Sequence, residues 1–239
     1  MVYYYILEIF FGAMEAFASL LITIVLFRLP FRSNKLLITI MSFFISSISL
    51  LFYNFLEIGY FLGESILILA LFLFYRLFMV ANVRQAMLVT LVGYIAGPVL
   101  LISVVFGALD FFGVLDGELS NSKNSLLELI TIQYVYALIT TQISIFLNHY
   151  RIGFSLTYTK DKTIGKGNLL YDKAFSIIIL TVVISLYFGN ALFINPNSFT
   201  EIRYVVIFIL VTVSFIFVYL RNLKQLKSEY EKMKDHLRM

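Results

Sequence analysis

Long stretches without charge are the feature of this sequence that most limits how the chain folds. Seven apolar segments are each long enough, or nearly so, to cross the ~30 Å hydrocarbon layer of a membrane as a helix of about 20 residues. They are residues 3–27, 36–54, 58–75, 85–108, 126–148, 174–194 and 203–220. Only 13% of the 239 residues are charged, whereas a soluble domain carries about 25%. We therefore predict an all-α integral membrane protein, with a bundle of about seven transmembrane helices in residues 1–220.

The basic residues alternate between the loops. If the N-terminus is outside, 16 of the 18 Lys and Arg residues fall in inner segments, and only Lys123 and Arg203 fall outside. Cytoplasmic loops of membrane proteins carry an excess of Lys and Arg. The bias predicts a multi-pass protein of the cell membrane with its N-terminus outside and its C-terminus in the cytoplasm. It also accounts for the net charge of +4 without a nucleic-acid partner.

The last apolar segment continues into a charged tail, residues 221–239, without a Pro or Gly to break a helix. Apolar residues recur there at spacings of four and three, which is the a/d pattern of a coiled coil. They are Tyr219, Leu223, Leu226, Tyr230, Met233 and Leu237. We predict one helix that leaves the membrane and becomes a short cytoplasmic coiled coil. Through it the chain would form a homodimer or bind a separate cytoplasmic kinase.

Acidic side chains in the spans and outer loops are the candidate ligand-binding residues. Glu15 lies near the middle of the first span, Glu8 lies two turns outward on the same helix face, and Glu64 lies in the outer half of the third span. An ionised carboxylate at the bilayer centre costs about 2.5–3.5 kcal/mol, so each should face the bundle interior. The alternative role for these carboxyls is packing alone. The remaining candidates lie in or near the outer loops: Glu57, Asp110, Asp116 and Glu118.

Two Gly-x-x-x-Gly spacings and one Pro mark predicted sites of close helix packing. Gly59 and Gly63 open the third span, and Gly93 and Gly97 lie in the fourth. Small residues at this spacing let helix backbones approach closely. Pro98 removes an i→i−4 hydrogen bond, so we expect it to kink the fourth helix.

Catalysis has little support in this sequence. There is no Cys for a thiolate site, and two His residues leave little for a metal cluster. Neither a phosphate-binding Gly-rich loop nor a hydrolase motif is present. We predict no catalytic residue, no metal, no cofactor and no enzymatic activity.

The layout resembles the N-terminal membrane sensor region of the peptide-pheromone histidine kinases of Gram-positive bacteria, the AgrC/ComD-like group. The resemblance depends on the last span, residues 204–220, and its extension through residues 221–233. It implies six or seven spans and a final helix that runs into a cytoplasmic dimerisation helix. The kinase core of that family is not part of this sequence. His236, followed by Leu237 and Arg238, does not reproduce the family's Arg-His-Asp phosphoacceptor box, so that role is not carried over.

Three functions remain open on these patterns. The first is a membrane sensor in signal transduction, which relays an outer-face signal, such as an extracellular peptide, through the last helix to a dimerising tail, without its own kinase core. The second is a small transporter or permease-like subunit in which Glu15 and Glu64 line a path. The third is a structural membrane scaffold whose tail holds a partner.

Overall fold

The structure is a computed structural model that describes residues 2–56, 59–80, 82–112, 124–150, 152–154, 179–184 and 216. Within these residues the regular structure is helical, and no β-strand occurs. In the described part of the chain, four helices are long and apolar enough to cross a membrane: Tyr3–Leu26, Phe31–Phe55, Phe61–Phe78 and Leu127–His149. A shorter apolar helix covers Val83–Val99. These helices indicate an all-helical protein of the lipid bilayer.

We number the α-helices of the described ranges in chain order. They are α1 Val2–Leu26, α2 Phe31–Leu50, α3 Tyr60–Phe78, α4 Val83–Tyr94, α5 Ile102–Phe111 and α6 Asn124–His149. Two π-helical segments extend them: Leu51–Phe55 continues α2, and Ile95–Leu101 joins α4 to α5. These elements overlap the first five predicted apolar segments. The sixth and seventh segments lie outside the described residues except for a helical stretch at 179–184 and Ile216, and the tail lies wholly outside them.

Helix α1 is the element against which the others pack. It contacts α2 and α6 along much of its length, and it also contacts α4 and the following π-helical segment. Its residues Ala18, Leu20 and Ile24 are each 1% exposed. A helix packed against several others is apolar over most of its surface, and in α1 the buried apolar residues lie toward its C-terminal half, in agreement with this central place.

A Schellman motif ends α1 and begins the turn to α2. The Arg28 N–H donates to the Val25 carbonyl at 3.1 Å, and the Leu29 N–H donates to the Ile24 carbonyl at 2.9 Å. Arg28 takes a φ of 51°, the left-handed conformation that this motif requires. Pro30 follows in an extended conformation and precedes the first residue of α2. Because α2 starts directly after Pro30, it begins five residues before the predicted segment 36–54.

The second Gly-x-x-x-Gly pair is where α4 meets α1. A Cβ on Gly93 would lie 2.5 Å from the Thr23 Cγ2 atom, and a Cβ on Gly97 would lie 3.4 Å from the Ser19 Cβ atom. The first pair behaves differently. Gly63 faces the ring of Tyr53, whereas no described atom comes within 4 Å of a Cβ built on Gly59.

Pro98 lies inside the π-helical segment Ile95–Leu101. Proline lacks an N–H, and its ring clashes with the carbonyl of residue i−4 in a regular α-helix. A π-helical segment uses i→i+5 hydrogen bonds, which widens the helix at this point. The backbone stays helical at both joints, Tyr94 and Ile102. The helix therefore absorbs the proline through a change of hydrogen-bond register.

Candidate functional site

A cavity of about 400 Å³ lies inside the bundle, between α1, α2, α3, α6 and the helix formed by α4, its π-helical segment and the start of α5. Glu8, Glu15 and Glu64 all line it, and we call it the carboxylate cavity. Among the described residues, its lining includes these three carboxyls and no Lys, Arg or His. On α1 the lining runs from Glu8 to Thr23, which is roughly 22 Å along a helix axis. The cavity is therefore deep, acidic and otherwise mostly apolar.

Glu64 on α3 is held by two tyrosines from two other elements. The Tyr53 hydroxyl donates to Glu64 Oε1 at 3.1 Å, and the Tyr94 hydroxyl donates to Glu64 Oε2 at 3.0 Å. Tyr53 lies in the π-helical segment that ends the second span, and Tyr94 is the last residue of α4. Both tyrosines therefore sit at points where the helix register changes.

Glu8 marks the end of the cavity nearest the surface. The Asn54 side-chain amide donates to both Glu8 oxygens, at 3.0 and 3.2 Å, in an exposed position. Asn54 lies in the same π-helical segment as Tyr53. One short segment thus places partners for two carboxyls on two different helices.

Glu15 lies deeper, and its partner comes from α6. The side-chain amide of Gln133 hydrogen-bonds the Glu15 carboxyl. The Gln133 Oε1 atom is buried and has no hydrogen-bond partner among the described residues. Glu64 lines the same cavity from α3. Glu15 and Glu64 therefore line this cavity together, and the side chain that bonds Glu15 carries a buried, unsatisfied amide oxygen.

Hydroxyl groups line the wall that α1 shares with its neighbours. The hydroxyls of Ser19 and Tyr136 lie 2.6 Å apart, and the Thr23 hydroxyl donates to the Ser19 carbonyl at 2.8 Å. Ser46 of α2 donates across to the Ile9 carbonyl of α1 at 2.9 Å. These bonds connect α1 to α2 and α6, so they hold the wall of the cavity in place.

The structure brings together some of the candidate residues from the sequence and not others. Glu8, Glu15, Glu64, Gly93 and Pro98 all line the carboxylate cavity. Other candidates lie outside the described residues, namely Glu57, Asp116, Glu118 and the tail seam Tyr219, Leu223, Leu226, Tyr230, Met233 and Leu237. The backbone of Asp110 lies in the last turn of α5.

Sequence reasoning missed the neutral partners of these carboxyls, which are Tyr53, Asn54, Tyr94 and Gln133. A polar residue in an apolar span was the available signal for Gln133, which stands in the middle of α6. No group of three or more His, Cys, Asp or Glu side chains in the described part of the chain could hold a metal ion. Comparison with protein-family models, curated proteins and solved structures found no match to this chain.

Proposed function

We propose that this protein is a multi-pass membrane sensor, a receptor-like protein that binds its ligand in the carboxylate cavity. The observation that carries the proposal is the convergence of Glu8, Glu15 and Glu64, from two helices, on one cavity of about 400 Å³. Ligand sites in proteins are mostly apolar clefts of about 300–1,000 Å³ with a few precisely placed polar groups. The carboxylate cavity has both properties.

Packing alone explains this arrangement less well. A carboxyl that only holds helices together needs hydrogen-bond partners, and Glu64 has two of them. It needs no empty volume beside it, because protein interiors are close-packed with few voids larger than a water molecule. Glu15 instead borders open space, and it does so beside a second carboxyl, Glu64.

The remaining parts of the proposal come from the sequence. The charge bias puts the N-terminus outside and the C-terminus in the cytoplasm, so the end of the cavity at Glu8, near the N-terminal end of α1, lies toward the outer face of the membrane. An extracellular peptide is the ligand class we propose. The last span and the 221–239 tail then pass the change to a second copy of the chain or to a separate cytoplasmic kinase.

A transporter or permease-like subunit is the second candidate. Glu15, Glu64 and Pro98 line the same cavity, and Pro98 lies in a π-helical segment. π-Helical segments occur frequently at functional sites. In a transporter, such a local deviation from regular α-helix is a place where the helix can bend. This reading requires that the cavity open in turn to both faces of the membrane.

Access to the cavity from each face separates the two candidates. The chain contains no Cys, so Ser49→Cys puts a single thiol in the lining of the cavity. The membrane-impermeant reagent trimethylammonioethyl methanethiosulfonate is added to the outside or the inside of sealed vesicles. A sensor is labelled from the outer face only, and a permease is labelled from both faces. Absence of labelling from either face contradicts both and favours the structural scaffold.

An exposed thiol provides the matched control. Ser33 is exposed near the start of α2, at the end of the bundle that the charge bias puts in the cytoplasm. Ser33→Cys should react from the inner face only, which verifies the orientation of the vesicles. Reaction from the outer face would contradict the proposed topology.

The tail is tested by disulfide cross-linking between copies, with single Cys residues introduced in turn from 219 to 237. A dimeric coiled coil gives cross-links with a repeat of three and four residues, strongest at the seam positions. A flat profile would rule out the dimeric tail and leave the cavity proposal in place.

A further inference from the structure

The ligand of the carboxylate cavity can be narrowed by its charge. We propose that the cavity binds an organic cation, through an ammonium or guanidinium group that lies between Glu15 and Glu64. This inference depends on the proposed ligand-binding function and names the chemical class that the site would select.

Several hydroxyl groups in and beside the cavity have already donated their proton to a protein acceptor. A tyrosine hydroxyl has one proton to donate, and Tyr53 and Tyr94 both donate theirs to Glu64. The lining hydroxyls of Thr23 and Thr90 each donate to a backbone carbonyl of their own helix. The hydroxyls of Tyr94, Thr23 and Thr90, which line the cavity, therefore offer it acceptor capacity only.

The side chain that bonds Glu15 also carries a buried acceptor. Gln133 Oε1 is buried and has no hydrogen-bond partner among the described residues. A buried polar group left unsatisfied costs about 1–3 kcal/mol, so this side chain adds an unsatisfied acceptor, and no free donor, to the surroundings of Glu15. The Glu15 carboxyl, which is bonded to the same side chain, offers further lone pairs. A group with several N–H donors fits this carboxyl, which lines the cavity.

The charge of the two carboxyls favours a cationic ligand. Glu15 and Glu64 line the same cavity, and two ionised carboxyls that share one site repel each other. The described lining supplies no Lys, Arg or His to offset them. A cationic nitrogen between the two carboxyls removes the repulsion and forms charge-assisted hydrogen bonds, which are roughly twice as strong as neutral ones. An anionic ligand would add to the repulsion.

The volume of the cavity favours an organic cation over a bare metal ion. Within the described residues no cluster of three metal-ligating side chains exists, and about 400 Å³ is much more than a bare ion fills. Leu20, Leu67, Leu71 and Ile132 supply apolar wall around the carboxyls. The site therefore suits a cationic head on an apolar body, either a small amine or the basic side chain of a peptide.

The test uses the Ser49→Cys chain in lipid nanodiscs with three small methanethiosulfonates. The aminoethyl reagent is cationic, the sulfonatoethyl reagent is anionic and the methyl reagent is neutral, and each rate is normalised to that of a free thiol. We expect the cationic reagent to react about tenfold or more faster than the anionic one, as charge-assisted hydrogen bonds predict. Adding Glu15→Gln or Glu64→Gln should reduce this ratio severalfold.

A matched carboxyl outside the cavity is the control. Glu128 is half-buried near the start of α6 and does not line the cavity, so Glu128→Gln should leave the ratio unchanged. An unchanged rate with the methyl reagent shows that a variant keeps its cavity. If the Glu variants do not fold, protection of the Ser49→Cys thiol from the methyl reagent by benzylammonium, but not by benzyl alcohol, carries the test.

The outcomes separate the two proposals. If the methyl reagent labels the thiol and the cationic and anionic reagents react at equal normalised rates, the cavity is accessible but does not select a cation. That result contradicts the inference of an organic cation and leaves the proposed ligand site in place. No labelling by any reagent overturns the ligand site itself. Protection by a short peptide with a C-terminal arginine amide, or by benzylammonium, identifies a peptide side chain or a small amine as the source. If sodium chloride alone protects the Ser49→Cys thiol, an inorganic ion occupies the site, and the inference of an organic cation is wrong.

Discussion

Replacing Gly93 by Ala is the sharpest test of how α4 meets α1. A Cβ at position 93 would lie 2.5 Å from Thr23 Cγ2 and 3.0 Å from Thr23 Cβ, with the Thr23 hydroxyl closer still. Carbon atoms in contact normally lie about 3.5–4.0 Å apart. Thr23 is 3% exposed and its hydroxyl donates to the Ser19 carbonyl, so it cannot simply rotate away. The helices must separate or the hydrogen bond must break.

The expected cost follows from this overlap. Inserting a methyl group into a packed interior destabilises a protein by typically 1–3 kcal/mol, and we expect Gly93→Ala to fall in this range. An increase of that size in the free energy of the folded state raises the unfolded fraction about 5- to 150-fold. Thr23→Ala removes Cγ2 and the hydroxyl but keeps Cβ, so it should relieve most of the cost in the double variant.

The assay is an SDS titration from mixed micelles, with unfolding followed by circular dichroism. Gly59→Ala is a control without steric overlap, since no described atom lies within 4 Å of its new Cβ. Because Gly59 is the N-cap of α3, the variant should lose only the N-cap preference, about 1 kcal/mol or less, and the loss should be the same with Thr or Ala at position 23. Close packing of Gly93 on Thr23 would be contradicted if Gly93→Ala unfolds at the midpoint of the parent protein. It would also be contradicted if Gly93→Ala lowers the free energy of unfolding by the same amount with Thr and with Ala at position 23.

Three further predictions use the same titration. Gly153→Ala should destabilise by at least about 1 kcal/mol, because its Cβ would lie 2.7 Å from the Leu26 carbonyl oxygen; an unchanged midpoint would contradict that approach. Arg28→Gly should be more stable than Arg28→Ala by about 1 kcal/mol, because residue 28 has a φ of 51°, which Gly adopts at no steric cost. Both variants lack the Arg charge, so the comparison isolates the backbone conformation. Equal stability would contradict the left-handed conformation at this residue. Ser46→Ala should cost about 0.6 kcal/mol, the average for interhelical hydrogen bonds in a membrane protein, because it removes the bond to the Ile9 carbonyl; no loss would mean that this bond adds nothing.

Part of the carboxylate cavity could be predicted from local pattern. Glu8 and Glu15 are seven residues apart in an uninterrupted helix, so they project from the same face, and both line the cavity. The cost of a carboxylate in hydrocarbon predicted that they would face the bundle interior. Neither argument needs any residue outside α1.

The effect of Pro98 was predictable only in part. The missing N–H follows from the residue type alone. Whether the helix kinks, breaks or changes register depends on what surrounds it. Here Tyr94 and Ile95 are 5% and 1% exposed, and the helix continues through Ile95–Leu101 in the π form.

The sequence by itself determined that this chain forms apolar helices suited to a bilayer, because helix period and transfer from water to hydrocarbon depend on residues close together in the chain. Only the tertiary structure decided which partner each carboxyl has. Glu64 meets Tyr94, 30 residues away, and Glu8 meets Asn54, 46 residues away. Such pairs depend on helix packing angles and on the register shifts of two π-helical segments, and no spacing along a single helix encodes either.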